Sequence, residues 1–229
     1  ARDVFNQRVA CYQIAEILLR QRWPAAAGMR HLRDLVPDHL RVDSADVLRA
    51  LTLLPPACGR GQLPGIVPAG HHERLREILA SHADVGAYDL RGTALFGISE
   101  CMRSQRFAEA LAAADLETVG RFMRASHDGD RGVCWNGDSK TPFRVDTSDA
   151  ELLRLASADV DLLSCSGAYA CSTEAIDRMV DVAARIPGVV GAQLAGAGLG
   201  GCMMVLAMET ALDAVIGGLT AGYYEPLGI

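Results

Sequence analysis

The sequence predicts an α+β fold, an antiparallel sheet covered by helices, on three observations. Helical spacing of apolar residues dominates the first two thirds of the chain. Strand-like runs appear only after Pro187-Gly188. Between two of those runs stands Gly196-Ala197-Gly198-Leu199-Gly200-Gly201, a connection that suits a hairpin and is too short for a parallel crossover.

The elements follow in order. Phe5, Val9, Tyr12 and Leu19 set a helix from Asp3 to about Arg22, with Asp3 as N-cap and Pro24 and Gly28 beyond its end. Asp43 or Ser44 caps a short helix through Leu51, ended by Pro55-Pro56. Residues 55–70 hold four prolines and four glycines and read as a loop or an internal boundary. Thr93 caps a helix to Ala113, and Asp115 starts another that ends near Ser126-His127. Residues 128–150 are polar and glycine-rich, an exposed excursion, with a short helix at about 150–156. Ser172 or Thr173 caps a helix to Ile186. Val189–Ala195 alternates as a strand, and Cys202–Ala207 reads as a second, buried one. Residues 209–217 resemble a helix and 219–225 a final strand.

Composition narrows the function. A net charge of −6 and 5% aromatic residues argue against a nucleic-acid partner. No apolar stretch approaches about 20 residues and no leader is visible, so no membrane partner and a cytoplasmic location are expected. The seven cysteines form no CxxC pair, which fits a reducing compartment without a zinc ribbon.

Most chemical signals are weak. Ser126-His127-Asp128 has triad residue types, but neighbours on one helical turn cannot converge, so a helix-end cap or a substrate-side contact is expected. His71-His72-Glu73 with His82 reads as a solvated helix start, and Asp128, Asp130 and Asp138 as a surface loop, so no metal site is expected. Met102, Met123, Met179, Met203 and Met204 read as core. The glycine run matches GxGxxG, but a strand follows it where a dinucleotide fold needs a helix. Two readings remain for it: a plain hairpin turn, or a bare-backbone loop facing phosphate.

The run Pro187–Cys202, with the glycines at its end, resembles the third signature of the galactokinase branch of the GHMP small-molecule kinases. Phe5-Asn6-Gln7-Arg8 resembles that family's Tyr-Asn-x-Arg segment. Arg91, Glu100 and Ser126-His127 resemble its Arg…Glu…Ser-His stretch, and Tyr169-Ala170-Cys171-Ser172-Thr173 with Ile176-Asp177 its Tyr-x-Val-Ser segment. The pieces occur in family order along nearly the whole chain. Departures are Phe5 for Tyr, Leu199 for an aromatic, Ala195 for a hydroxyl residue, Glu174-Ala175 for Pro-Glu, and 41 residues between His127 and Tyr169.

The resemblance implies a ferredoxin-like core with helical additions. It implies an ATP-dependent sugar 1-kinase of which residues 1–229 are the C-terminal half: a helical part (1–127), a polar insertion (128–168) and a glycine-motif part (169–229). The ATP loop, the catalytic residues and most Mg²⁺ ligands would lie in an N-terminal half, on the same polypeptide or a second chain. Gly196, Ala197, Gly198, Leu199, Gly200 and Gly201 would lie near the phosphates. Phe5, Arg8, Ser126, His127 and Tyr169 would face a monosaccharide, joined by Trp135, Asn136 and Arg144 if the insertion is ordered there. The alternative within the family is a non-catalytic, sugar-sensing regulator.

Overall fold

A computed structural model describes residues 2–229. The helices are α1 (Arg2–Arg22), α2 (Pro37–Leu40), α3 (Ser44–Leu51), α4 (Leu63–Ile66), α5 (His72–Ala80), α6 (Leu90–Ala112) and α7 (Leu116–Asp130). Strands β1 (Val133–Asn136) and β2 (Ser139–Pro142) follow, then α8 (Asp149–Ser157) and α9 (Glu174–Ala183). The chain ends with β3 (Val189–Ala195), β4 (Cys202–Ala207), α10 (Leu212–Leu219) and α11 (Glu225–Leu227). Contacts divide it into two compact units, Ala1–Met102 with Val145–Tyr169, and Arg103–Arg144 with Ala170–Ile229. The segment read as a polar insertion is thus shared between them.

The first unit is helical. Ile14, Leu18 and Leu19 of α1 share a buried cluster with Leu48 and Leu51 of α3, Leu75 and Ile78 of α5, Ile98 of α6 and Leu152 of α8. Asp43 caps α3 by accepting the Asp46 N–H at 2.6 Å, and Ser148 caps α8 in the same way through Glu151. Arg91 locks the unit from inside. Its guanidinium donates to the carbonyls of Leu51, Thr52 and Leu54, which follow from the end of α3, and to Thr147 just ahead of α8.

The second unit is α+β. β3 and β4 pair antiparallel, with Ala195 opposite Cys202 at the mouth of the glycine connection. Ile176, Val180 and Ala183 of α9 pack on Ala192 and Leu194 of β3. α7 also lies against β3, and Gly120 permits the approach, since a Cβ there would strike the Val190 carbonyl. β1 and β2 form a separate two-residue-loop hairpin in which Gly137 takes φ +59.

Several expectations need correction. Residues 219–225 are not a strand: α10 runs on through a wider helical turn at Thr220–Tyr224 into α11. Gly218 and Gly222, four apart, lie on the helical face against Ile186 and Val182, where a side chain would not fit. β4 is only half-buried: Met203 and Val205 pack toward α9, but no third strand pairs with it among the described residues, and Met204 is 47% exposed and is no core residue. Residues 55–70 are loop only in part, since short helical turns at Arg60–Gln62, α4 and Ala69–His71 interrupt them, and they lie inside the first unit, so they mark no boundary. Asp89, not Thr93, sits at the start of α6, accepting the Gly92 N–H at 2.7 Å. Asp3 lies inside α1 and accepts the Ala83 N–H. The 128–150 excursion is partly regular: α7 continues to Asp130 and β1–β2 follow. His82 is buried, not solvated, and its Nε2 pairs with the Tyr88 hydroxyl at 2.7 Å.

Candidate functional site

The glycine connection is strained backbone that glycine relieves. Gly196, Gly198, Gly200 and Gly201 all have φ between +77° and +124°, and Leu199 joins them at +60°. The glycines differ in what surrounds them. A Cβ on Gly196, Gly200 or Gly201 would meet nothing within 4 Å, whereas one on Gly198 would run into the Cys171 carbonyl and Cβ. The Leu199 N–H donates to that same carbonyl at 2.5 Å. Gly198 is therefore needed for packing within the unit. Gly196, Gly200 and Gly201 present bare main chain to open space, the property that lets a backbone approach phosphate oxygens.

A second cluster surrounds His127. The ring is 1% exposed, and its Nδ1 accepts the Leu194 N–H at 3.3 Å, which caps a main-chain donor on the side of β3 away from β4. That bond places the ring proton on Nε2, 3.5 Å from Asp177 Oδ1. Asp177 is itself 1% exposed, and its Oδ2 accepts the Gly132 and Val133 N–H groups at 3.0 Å. One turn further along α9, Asp181 takes Arg131 at 2.8 Å with both oxygens and the Trp135 N–H at 2.6 Å. The two aspartates thus fasten β1 to α9. Arg131 also holds Asp128, at 3.1 Å. His127, Asp128, Arg131 and Asp181 line a cavity of about 330 Å³ beside β3.

Burial, and secondarily Arg131, pushes the His127 imidazole down to about 3 from its ordinary 6.5. A histidine depressed on folding stabilises the fold above its unfolded pKa and loses that contribution as pH falls toward the folded one. Stability should therefore fall between about pH 6.5 and 3, at up to about 1.4 kcal/mol per unit. Urea titrations at pH 7 and pH 4.5 check this, and the same comparison on His127→Gln should show a shallower loss. Equal slopes for both proteins would contradict it.

The third cluster lies in the helical unit. The Arg8 Nε donates to the Tyr169 carbonyl at 2.5 Å, and its Nη1 to Gln7 Oε1 at 3.1 Å. The Tyr169 ring is stacked between Phe96, 4.9 Å away, and Tyr12, at 5.7 Å. Gly97 makes room for Tyr12, whose Cε1 lies 2.6 Å from where a Cβ would be. Phe5 is half-buried on the same helix as Arg8.

The structure therefore brings together Arg8 with Tyr169, and separately the glycine run with Cys171. Ser126 is half-buried on α7, one residue before the enclosed His127. Trp135 lies between two cations, Arg178 at 5.1 Å and Lys140 at 5.7 Å, while Asn136 and Arg144 are exposed. Sequence reasoning missed Arg131 and Asp181. The available signal was the spacing of Asp177 and Asp181, which puts both carboxylates on one face of α9.

Comparison with known proteins places this geometry. The family model described as GHMP kinases C terminal matches residues 147–225. A galactokinase of Chloroflexus aurantiacus is 27% identical over 203 residues, covering 86% of this chain and 39% of the relative. A galactokinase of a Roseiflexus species is 27% identical over 150 residues, covering 66% of this chain and 29% of the relative. The chain spans about two fifths or less of the length of these curated relatives. No described helix is long and apolar enough to cross a membrane. Residues 147–225 are thus similar to the C-terminal region of the GHMP kinases, and the sequence relatives are galactokinases.

Proposed function

We propose that this chain is the C-terminal part of a cytoplasmic sugar kinase that transfers the terminal phosphoryl group of ATP to the anomeric C1 hydroxyl of a monosaccharide. The observation that carries the reading is the glycine hairpin, whose open positions lie within the stretch matched to the GHMP family. Phosphoryl transfer depends mainly on positioning and charge stabilisation, which suits a cleft built from two halves. In this reading Gly196, Ala197, Leu199, Gly200 and Gly201 approach the phosphates, and Gly198 sets the loop. Phe5, Arg8, Tyr169 and Ser126 belong to the sugar side, with His127 acting through β3. Among the described residues no group of three or more His, Cys, Asp or Glu could hold a metal ion. We assign the Mg²⁺ ligands and the ATP loop to an N-terminal half.

Two assays test the reading. The 229-residue chain alone should transfer no label from radioactive ATP to any hexose. Joined to an N-terminal half, it should yield a labelled sugar phosphate that mild acid hydrolyses, because an anomeric phosphate is acid-labile and a 6-phosphate survives. Labelled product from the chain alone would overturn the division of labour. An acid-stable product would overturn the C1 assignment.

A further inference from the structure

We infer that the main chain of Cys171 is the positioning element of the glycine hairpin, a role that rests on the kinase reading for its purpose but not for its geometry. The segment 170–172 hangs from the end of α7. The Ala170 N–H donates to the Gly129 carbonyl at 3.0 Å, and the Ser172 N–H to the Asp130 carbonyl at 2.9 Å. These are carbonyls of the last helical turn, which lack partners inside the helix. Held at both sides, the Cys171 carbonyl points at the hairpin and accepts the Leu199 N–H.

That contact explains an otherwise costly feature. Leu199 sits at φ +60, in the left-handed region that a leucine enters only under constraint. Gly198 lies directly on Cys171, so the hairpin can settle only if position 198 has no side chain. With 198 and 199 fixed, Gly200 and Gly201 are held at φ +124 and +95 with open space around them. The loop is therefore set before any ligand arrives, which lowers the ordering that binding would otherwise require. Cys171 is wholly buried, so its thiol plays no part at the surface.

Amide hydrogen exchange on the 229-residue chain tests the geometry. The Leu199 amide should exchange at least about tenfold more slowly than those of Gly200 and Gly201, since it alone in that trio carries this bond. Leu199→Asn, which tolerates the left-handed region, should keep the protection, and Leu199→Val, β-branched and excluded from it, should lose it. Comparable exchange at all three wild-type amides would overturn the inference, as would full protection in the valine variant. The purpose is read separately, in the two-half enzyme. There Leu199→Val should lower kcat at least about tenfold with sugar KM unchanged, and Leu199→Asn should restore most of it. An active wild-type enzyme whose kcat ignores Leu199→Val would overturn the positioning role. A protected amide in a wild-type enzyme without any turnover would instead bring down the kinase reading, and the positioning role with it.

Discussion

Arg91→Leu should cost about 3–5 kcal/mol of unfolding free energy, enough to leave the helical unit marginal or unfolded. Arg91 is 2% exposed and satisfies four main-chain carbonyls, at 3.1 Å (Leu51), 3.2 Å (Thr52), 2.6 Å (Leu54) and 2.9 Å (Thr147). Its ion pair with Asp149 at 2.7 Å contributes little by comparison, because Asp149 is 68% exposed and water screens it. The penalty comes from the carbonyls. A buried acceptor stripped of its donor costs about 1–3 kcal/mol, and several are stripped together, partly relieved by water entering. Arg91→Lys should recover little, since a point charge cannot fork across carbonyls that approach from two segments. Asp149→Asn should be nearly silent. Urea denaturation followed by far-UV circular dichroism measures all three, and a loss below about 1 kcal/mol for Arg91→Leu would contradict the account.

Elements made by local contacts are legible in the sequence, and those made by distant contacts are not. α1 was legible from its apolar spacing, and α3, α7 and α9 from spacing and from local caps: Asp43, Asp115 and Thr173 each accept from the residue three ahead. The β3–β4 hairpin was legible because four glycines in six residues leave few other solutions. Residues 219–225 were misread because Tyr223-Tyr224 favours a strand by composition. The deciding contact is the packing of Gly222 on Val182 of α9 and of Gly218 on Ile186 just beyond it, which only the fold supplies. The β1–β2 hairpin carried a local signal in Asn136-Gly137-Asp138, yet its anchors, Asp177 and Asp181, lie more than forty residues away in sequence.

The same division applies to the site. The glycine run and Tyr169 could be singled out from the chain alone, and so could Arg8. What separates Gly198 from Gly200 could not, because it depends on where the Cys171 carbonyl lies. His127 also illustrates the limit: its residue type invites a role in chemistry, but the Leu194 amide and enclosure give it a structural one.

That distinction within one loop sets the last expected result. Gly198→Ala should act on the fold. The new methyl would press on the Cys171 main chain at a position of φ +77, and both overlap and backbone strain oppose it. A loss of about 2–4 kcal/mol in the second unit is expected. Gly200→Val should act differently. No atom lies within 4 Å of its would-be Cβ, so the fold pays only for φ +124, a conformation that side chains avoid, and the strand ends can absorb part of that. In the two-half enzyme the added side chain would occupy the space that we assign to phosphate. Loss of one well-placed donor to developing charge lowers turnover by about 100- to 1,000-fold, and that is the expected fall in kcat. Melting temperature and kcat measured on both variants separate the roles. Gly198→Ala should show the larger drop in melting temperature, Gly200→Val the larger drop in kcat per folded molecule. If Gly200→Val lowers the melting temperature while the folded enzyme keeps its normal turnover, the hairpin is only a turn and the phosphate assignment of Gly200 fails.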